Sequence, residues 1–117
     1  MRAAIKLEAV KTVDQRAARR YKARGGVSIE SDGASFGGVL TEISAVGAAV
    51  RTSKDMTVDT TCNILIVGLG AFEGRVARRI SENGYAIAFE MGEGAQAALD
   101  DHLAALYEER DFIVLDA

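Results

Sequence analysis

The chain has 117 residues, of which 49% are apolar, enough to form one compact domain with its own core. A single cysteine, Cys62, excludes an internal disulfide and a cysteine-based zinc site. The net charge of −3 divides unevenly: residues 1–24 carry eight lysines and arginines against two acids (+6), while residues 25–117 carry six against fifteen (−9). A basic segment on an acidic body disfavours binding to long nucleic acids, which needs a broad basic face.

The N-terminal part of the chain gives little secondary-structure signal. Residues 1–13 mix apolar and polar positions, and a short helix and an extended arm both stay open. Residues 14–24 hold five bases, which predicts a loop or arm, partly mobile without a ligand. No apolar run reaches the roughly 18 residues of a membrane span, and no secretory leader is apparent, so we expect a cytoplasmic protein without membrane insertion.

The middle of the chain is strand-like. Short apolar segments recur about every ten residues and are separated by turns rich in Gly, Asn and Asp, which favours an antiparallel sandwich or barrel. Asn83–Gly84 suits a turn with positive φ. Cys62 is expected as a small buried strand residue. The predicted strands are 27–30, 36–44, 44–52, 62–69, 73–80 and 85–90.

One helix is predicted over 94–109, where Leu99, Leu103 and Leu106 form a single apolar stripe. It would close an open end of a barrel or cover a sheet face. Residues 112–115 are apolar and would either add a strand or meet a partner. We divide the chain into an N-terminal arm, 1–13, and one domain, 14–117.

The sequence offers no catalytic constellation, and we interpret the protein as a non-enzyme without cofactor or metal. Residues 68–74, GLGAFEG, approach a glycine-rich phosphate loop, but a strand pattern follows where that loop needs a helix, so a hairpin turn is predicted. His102 is expected to have a packing or surface role.

Two separated segments carry the functional argument. Arg16, Arg19 and Arg20 lie in an R-x-x-x-R pattern, and 22 residues after Arg20 comes the pattern of Glu42, Ser44 and Gly47. In this order and spacing they resemble the two ligand-binding motifs of the PilZ domain family, R-x-x-x-R and [DN]-x-S-x-x-G. The resemblance covers about residues 14–92.

This resemblance implies an all-β fold, a small six-stranded antiparallel β-barrel with a C-terminal α-helix, and a receptor for cyclic di-GMP. Arg16 and Arg20 would offer guanidinium donors to guanine O6 and N7 or to a phosphate, with Arg19 as a third contact. Glu42 would accept from the guanine N1–H and 2-amino group, and Ser44 would bond a phosphate or base edge. Gly47 would let the backbone approach the ligand.

Position 42 departs from the family pattern, because glutamate stands where aspartate or asparagine is expected. The longer side chain would cost about 1–3 kcal/mol if a bidentate contact were lost. The resemblance further implies output through contact with an unidentified protein partner, as a monomer or homodimer, in motility, exopolysaccharide or virulence control. The alternatives are an adaptor of the same fold that binds no nucleotide, and an enzyme of unfamiliar type.

Overall fold

A computed structural model describes residues 19–110 and 113–114. Within these residues, six antiparallel strands are followed by one helix and a two-residue strand, and no helix there is long and apolar enough to cross a membrane. The elements are β1 (Tyr21–Ser31), β2 (Ala34–Ser44), β3 (Gly47–Arg51), β4 (Thr61–Ile66), β5 (Gly70–Ser81), β6 (Gly84–Phe89), α1 (Glu93–Arg110) and β7 (Ile113–Val114).

The six long strands close on themselves. Their neighbour order is β1–β2–β3–β6–β5–β4, and β4 returns to pair with β1, so every strand has a partner on both sides. This confirms the expected six-stranded barrel with a C-terminal helix. The apolar tail residues add strand β7, which runs parallel to β1 beside Ala23 and Arg24.

Strand β1 begins earlier than the sequence analysis expected. Tyr21 and Ala23 are buried and alternate with exposed Lys22 and Arg24, so the prediction of a loop or arm is wrong for residues 21–24. The period of two continues through the basic stretch because a tyrosine and an alanine supply the inward side chains.

The two tight turns lie close to their predicted positions, but positive φ angles occur at the first turn and not at Asn83–Gly84. Asp32 and Gly33 both have positive φ, 52° and 79°, the type I′ geometry of a two-residue hairpin between β1 and β2. Asn83 and Gly84 lack it, contrary to expectation. There β5 is irregular between Arg79 and Ser81, and the Arg79 guanidinium donates to the carbonyls of Ser81 and Glu82. The hairpin turn predicted over 68–74 is shorter in the structure: it comprises residues 67–69, and residues 70–74 belong to β5.

The core lies inside the barrel and continues under the helix. Leu99 and Leu103 of α1 are buried with the inward residues of the strands, so the helix shares one core with the barrel. Tyr85 is fully buried, and its hydroxyl accepts a hydrogen bond from the Met56 backbone N–H at 3.1 Å. Cys62 is a buried free thiol in β4, as predicted, and burial raises its pKa.

Candidate functional site

A cleft of about 440 Å³ lies on the outer surface of the barrel, across β2, β3, β6 and β5. Both motif segments contribute to it within the described residues. Its lining comprises Arg20, Glu42, Ile43, Ser44, Val46, Gly47, Ala48, Ala49, Ala77, Arg78, Ile80, Ala86, Ile87 and Ala88.

Strand register explains why this surface is concave. Glu42 pairs with Ala49, Ala49 with Ala86, and Ala86 with Arg78, so one row of positions crosses four strands. The two middle positions carry only methyl groups, and Ala88 extends this floor on β6. Because the small residues are flanked by long charged ones, the row forms a shallow trough with a charged rim on each side.

Arg20 and Glu42 form the β1–β2 rim. Arg20 directly precedes β1, and the β1–β2 register sets Glu42 opposite Lys22. The Arg20 Nε lies 4.0 Å from Glu42 Oε1, and the two side chains are 63% and 40% exposed. An exposed ion pair at this separation is worth only about 0–1 kcal/mol, so both groups can turn to a bound molecule at small cost.

Ser44 ends β2 and shapes the turn into β3. Its side chain is buried, its Oγ accepts from the Val46 backbone N–H at 3.1 Å, and it donates to the Gly47 carbonyl at 3.4 Å. The first bond is a normal local turn bond, whereas the second is long. The hydroxyl hydrogen is therefore weakly held and can be redirected towards the cleft.

Gly47 is required by the sheet itself. A Cβ at this position would lie 2.5 Å from the Ile87 carbonyl oxygen of the neighbouring strand β6. The motif resemblance predicts that this glycine lets the backbone approach a ligand. The structure adds a reason within the fold, namely the close approach of β3 to β6.

Arg19 is not part of the cleft lining. Its guanidinium carbon lies 5.1 Å from the ring centroid of Tyr21 and 5.0 Å from that of Tyr107 on α1. The two rings are themselves 5.0 Å apart and inclined by 50°. These are cation–π distances, so Arg19 joins the start of β1 to the helix. Burial raises the pKa of Tyr21, and the positive charge of Arg19 opposes that rise.

Arg16 lies outside the described residues, so its position relative to the cleft stays a prediction. Of the other predicted site residues, the cleft brings together Arg20, Glu42, Ser44 and Gly47. Among the described residues no group of three His, Cys, Asp or Glu could hold a metal ion.

Sequence reasoning missed the β5–β6 side of the cleft. A strict period of two along residues 73–80 would place Val76 and Ile80 on one face of the strand, yet Val76 is fully buried and Ile80 is 48% exposed. An irregularity between Val76 and Arg78 shifts the phase of β5, so Ala77, Arg78 and Ile80 all line the cleft. The alanines of β3 and β6 were the available signal, because small residues at outward strand positions leave space.

Comparison with solved structures gives the same barrel in other proteins. The chain is similar to the Bacillus subtilis inhibitor of motility MotI/DgrA (TM-score 0.68, 20% identity, covering 86% of this chain and 55% of that chain). It is similar to the PilZ domain of CeSA from a cellulose-synthesizing bacterium (TM-score 0.60, 21% identity, covering 74% of this chain and 98% of that chain). It is also similar to YcgR from Escherichia coli, solved in complex with c-di-GMP (TM-score 0.65, 14% identity, covering 85% of this chain and 49% of that chain).

The chain spans about half the length of the MotI/DgrA and YcgR chains. The search of curated proteins found no match. At these identities the solved structures establish the fold. The family model for the PilZ domain, by contrast, matches residues 14–108, most of the sequence. The chain therefore belongs to the PilZ domain family.

Proposed function

We propose that this protein is a cyclic di-GMP receptor that binds its ligand in the cleft across β2, β3, β6 and β5. The observation that carries the proposal is the convergence of Arg20 and Glu42, from two separate motifs, on the rim of one open trough of about 440 Å³. That volume lies within the usual range of small-molecule sites. Membership of the PilZ family and the c-di-GMP complex of the similar YcgR support this ligand.

The rim chemistry suits a guanine nucleotide. Arg20, together with Arg16, would present planar forks of N–H donors to guanine O6 and N7 or to phosphate oxygens. Glu42 would accept from guanine N1–H and the 2-amino group, which needs the ionised carboxylate. The ligand competes with the Arg20–Glu42 ion pair, and that pair is exposed and long, so the competition costs little.

The turn after β2 contributes the remaining contacts. In the proposal the Ser44 hydroxyl redirects its hydrogen from the Gly47 carbonyl to a ligand acceptor while it keeps the Val46 N–H bond. Gly47 keeps the backbone of β3 close to β6, so that the floor stays continuous. Arg19 acts as a third arginine contact only if it leaves the Tyr21–Tyr107 rings.

The proposed output is a change in conformation of the arginine-rich segment that precedes β1, with residues 1–13 as the arm it carries. In the proposal, the signal passes through contact with a protein partner. We place the receptor in the cytoplasm, as a monomer or homodimer, and not among enzymes. The free thiol of Cys62 agrees with a reducing compartment.

Isothermal titration with cyclic di-GMP tests the receptor function. We expect saturable binding of cyclic di-GMP by the native chain and no measurable heat in the control titration with GTP. Loss of one bidentate arginine contact costs about 1–3 kcal/mol, so Arg20→Ala should weaken binding about 5- to 150-fold. The Arg16→Ala/Arg20→Ala double variant should abolish it.

The matched control is Arg51→Ala. Arg51 is exposed at the end of β3 and does not line the cleft, so its removal changes the net charge equally without touching the site. Equal weakening by Arg51→Ala would mean that only general electrostatics attracts the ligand. Absence of any heat with the native chain would overturn the proposal and favour the nucleotide-free adaptor.

A further inference from the structure

We propose that Arg78 of β5 binds the far half of the ligand and makes the cleft select a cyclic dinucleotide over a mononucleotide. This inference rests on the proposed function. It concerns a side chain outside both sequence motifs, on the opposite rim of the trough.

Strand register fixes the span between the two rims. Glu42, Ala49, Ala86 and Arg78 occupy one row on four adjacent strands. Glu42 and Arg78 are three strand spacings of about 4.8 Å apart, which is about 14 Å along the sheet. A ligand anchored by one guanine at Glu42 reaches Arg78 only if it continues across the floor.

The floor between the rims offers no competing polar contact. Ala49, Ala86 and Ala88 present methyl groups to the cleft, on which a planar base or ribose can lie. The charged side chains of the lining therefore lie at the two rims and not between them, so charge-assisted contacts to a ligand would form only at the rims. A mononucleotide held at Glu42 has no second phosphate or base to bring to Arg78, whereas a cyclic dinucleotide has both.

The local backbone directs Arg78 outward. The irregularity of β5 after Val76 inserts Ala77, so Ala77 and Arg78 both line the cleft. Bulges of this kind re-aim side chains on the strand that carries them.

Arg78 also differs from the other arginines of β5 in having no structural partner among the residues that the structure describes. Arg75 forms an ion pair with Glu90 at 3.1 Å, and Arg79 pairs with Asp55 and bonds turn carbonyls. Within the described part of the chain, Arg78 forms neither an ion pair nor a hydrogen bond. Its guanidinium is available for guanine O6 and N7 or for a phosphate.

The experiment compares two probes, cyclic di-GMP and GMP, on the full chain and its Arg78→Ala, Arg78→Lys and Arg51→Ala variants. Calorimetry measures the dinucleotide, and chemical-shift titration measures the weaker mononucleotide. We expect Arg78→Ala to weaken cyclic di-GMP about 5- to 150-fold and to leave GMP unchanged. Arg78→Lys should recover part of the loss, because lysine keeps the charge without the fork. Arg51→Ala should leave both affinities unchanged.

The two proposals fail differently. No binding of cyclic di-GMP by the native chain overturns the receptor function itself. Native binding with an unchanged affinity in Arg78→Ala overturns only the role of Arg78, and so does an equal loss for both probes. Thermal unfolding of each variant, followed by circular dichroism, separates loss of contact from loss of fold. We expect Arg78→Ala to match the native midpoint, because Arg78 has no partner within the described residues.

Discussion

Two residues of the second motif, Ser44 and Gly47, have roles in the fold itself. Ser44 holds the β2–β3 turn, and Gly47 lets β3 approach β6. The motif resemblance predicted Arg20 and Glu42 as ligand contacts, and the structure places both on the rim of one cleft. Arg78 lies outside both motifs, and its position on the opposite rim depends on a strand irregularity and on the pairing between β5 and β6.

Gly47→Ala should destabilise the protein whether or not ligand is present. The new Cβ would lie 2.5 Å from the Ile87 carbonyl oxygen, so β3 or β6 must shift. Overpacking of this kind typically costs about 1–3 kcal/mol. Urea unfolding of the free protein measures the loss.

Gly37→Ala is the matched control. Gly37 also lies in a strand, β2, but a Cβ there would have its nearest contact at 3.7 Å, an ordinary van der Waals distance. We expect its unfolding midpoint to stay near that of the native protein. If Gly47→Ala kept full stability and lost only ligand affinity, the glycine would serve the ligand and the steric argument would be wrong.

At the scale of elements, the sequence predicts strands and the helix well where the alternation is regular. The predicted strand 85–90 and helix 94–109 correspond to β6 (Gly84–Phe89) and α1 (Glu93–Arg110). The start of β1 was missed because its outward residues are all basic and resemble a solvated arm. The outward positions at the end of β5 could not be predicted, because an alternating pattern does not show where a strand irregularity will shift its phase.

Helix α1 contains a carboxylate in an unfavourable place. Asp100 Oδ1 is buried and has no hydrogen-bond partner among the described residues. Burial, and then the neighbouring charge of Asp101, raise the pKa of Asp100, while Arg19 opposes the rise. A carboxyl whose pKa is higher folded than unfolded binds its proton more tightly in the folded state. Its ionisation therefore lowers stability as the pH rises through the folded pKa.

Asp100→Asn should accordingly stabilise the protein near neutral pH. The group is partly exposed, so solvent screening limits the gain to about 1 kcal/mol or less. The gain in stability should vanish by about pH 3, where the Asp100 carboxyl of the unsubstituted protein is protonated in both the folded and the unfolded state. Chemical unfolding of both proteins across this pH range measures the effect.

The control variant is Asp101→Asn, which removes the adjacent exposed carboxylate. It should give a smaller gain, through relief of its repulsion with Asp100. A stabilisation by Asp100→Asn that persists undiminished at low pH would contradict the electrostatic explanation.

At the scale of the whole molecule, strand β1 connects the first motif to the barrel. It follows Arg20 directly, pairs with β2 and β4 to close the barrel, and pairs with β7 at Ala23 and Arg24. The sequence could predict a barrel of short strands, but closure depends on contacts between distant segments, such as β3 with β6, which local patterns do not encode. The family resemblance supplied that topology.

Hydrogen exchange tests the proposed response of the arginine-rich segment. If cyclic di-GMP engages Arg16 and Arg20, amides of residues 14–20 should exchange more slowly in its presence, because their arginines become tied to the cleft. The Asp32–Gly33 turn, which does not line the cleft, is the internal control. Equal protection of residues 14–20 with and without saturating ligand would refute the change in conformation.

The methyl floor of the cleft has a consequence for stability engineering. Ala49, Ala86 and Ala88 face outward on β3 and β6, where alanine is a weak strand former and a β-branched residue would suit the sheet better. Valine at these positions would improve strand propensity while it filled the trough. Selection for thermostability alone would thus close the cleft, and the three small residues mark a trade-off between a firmer barrel and an open surface.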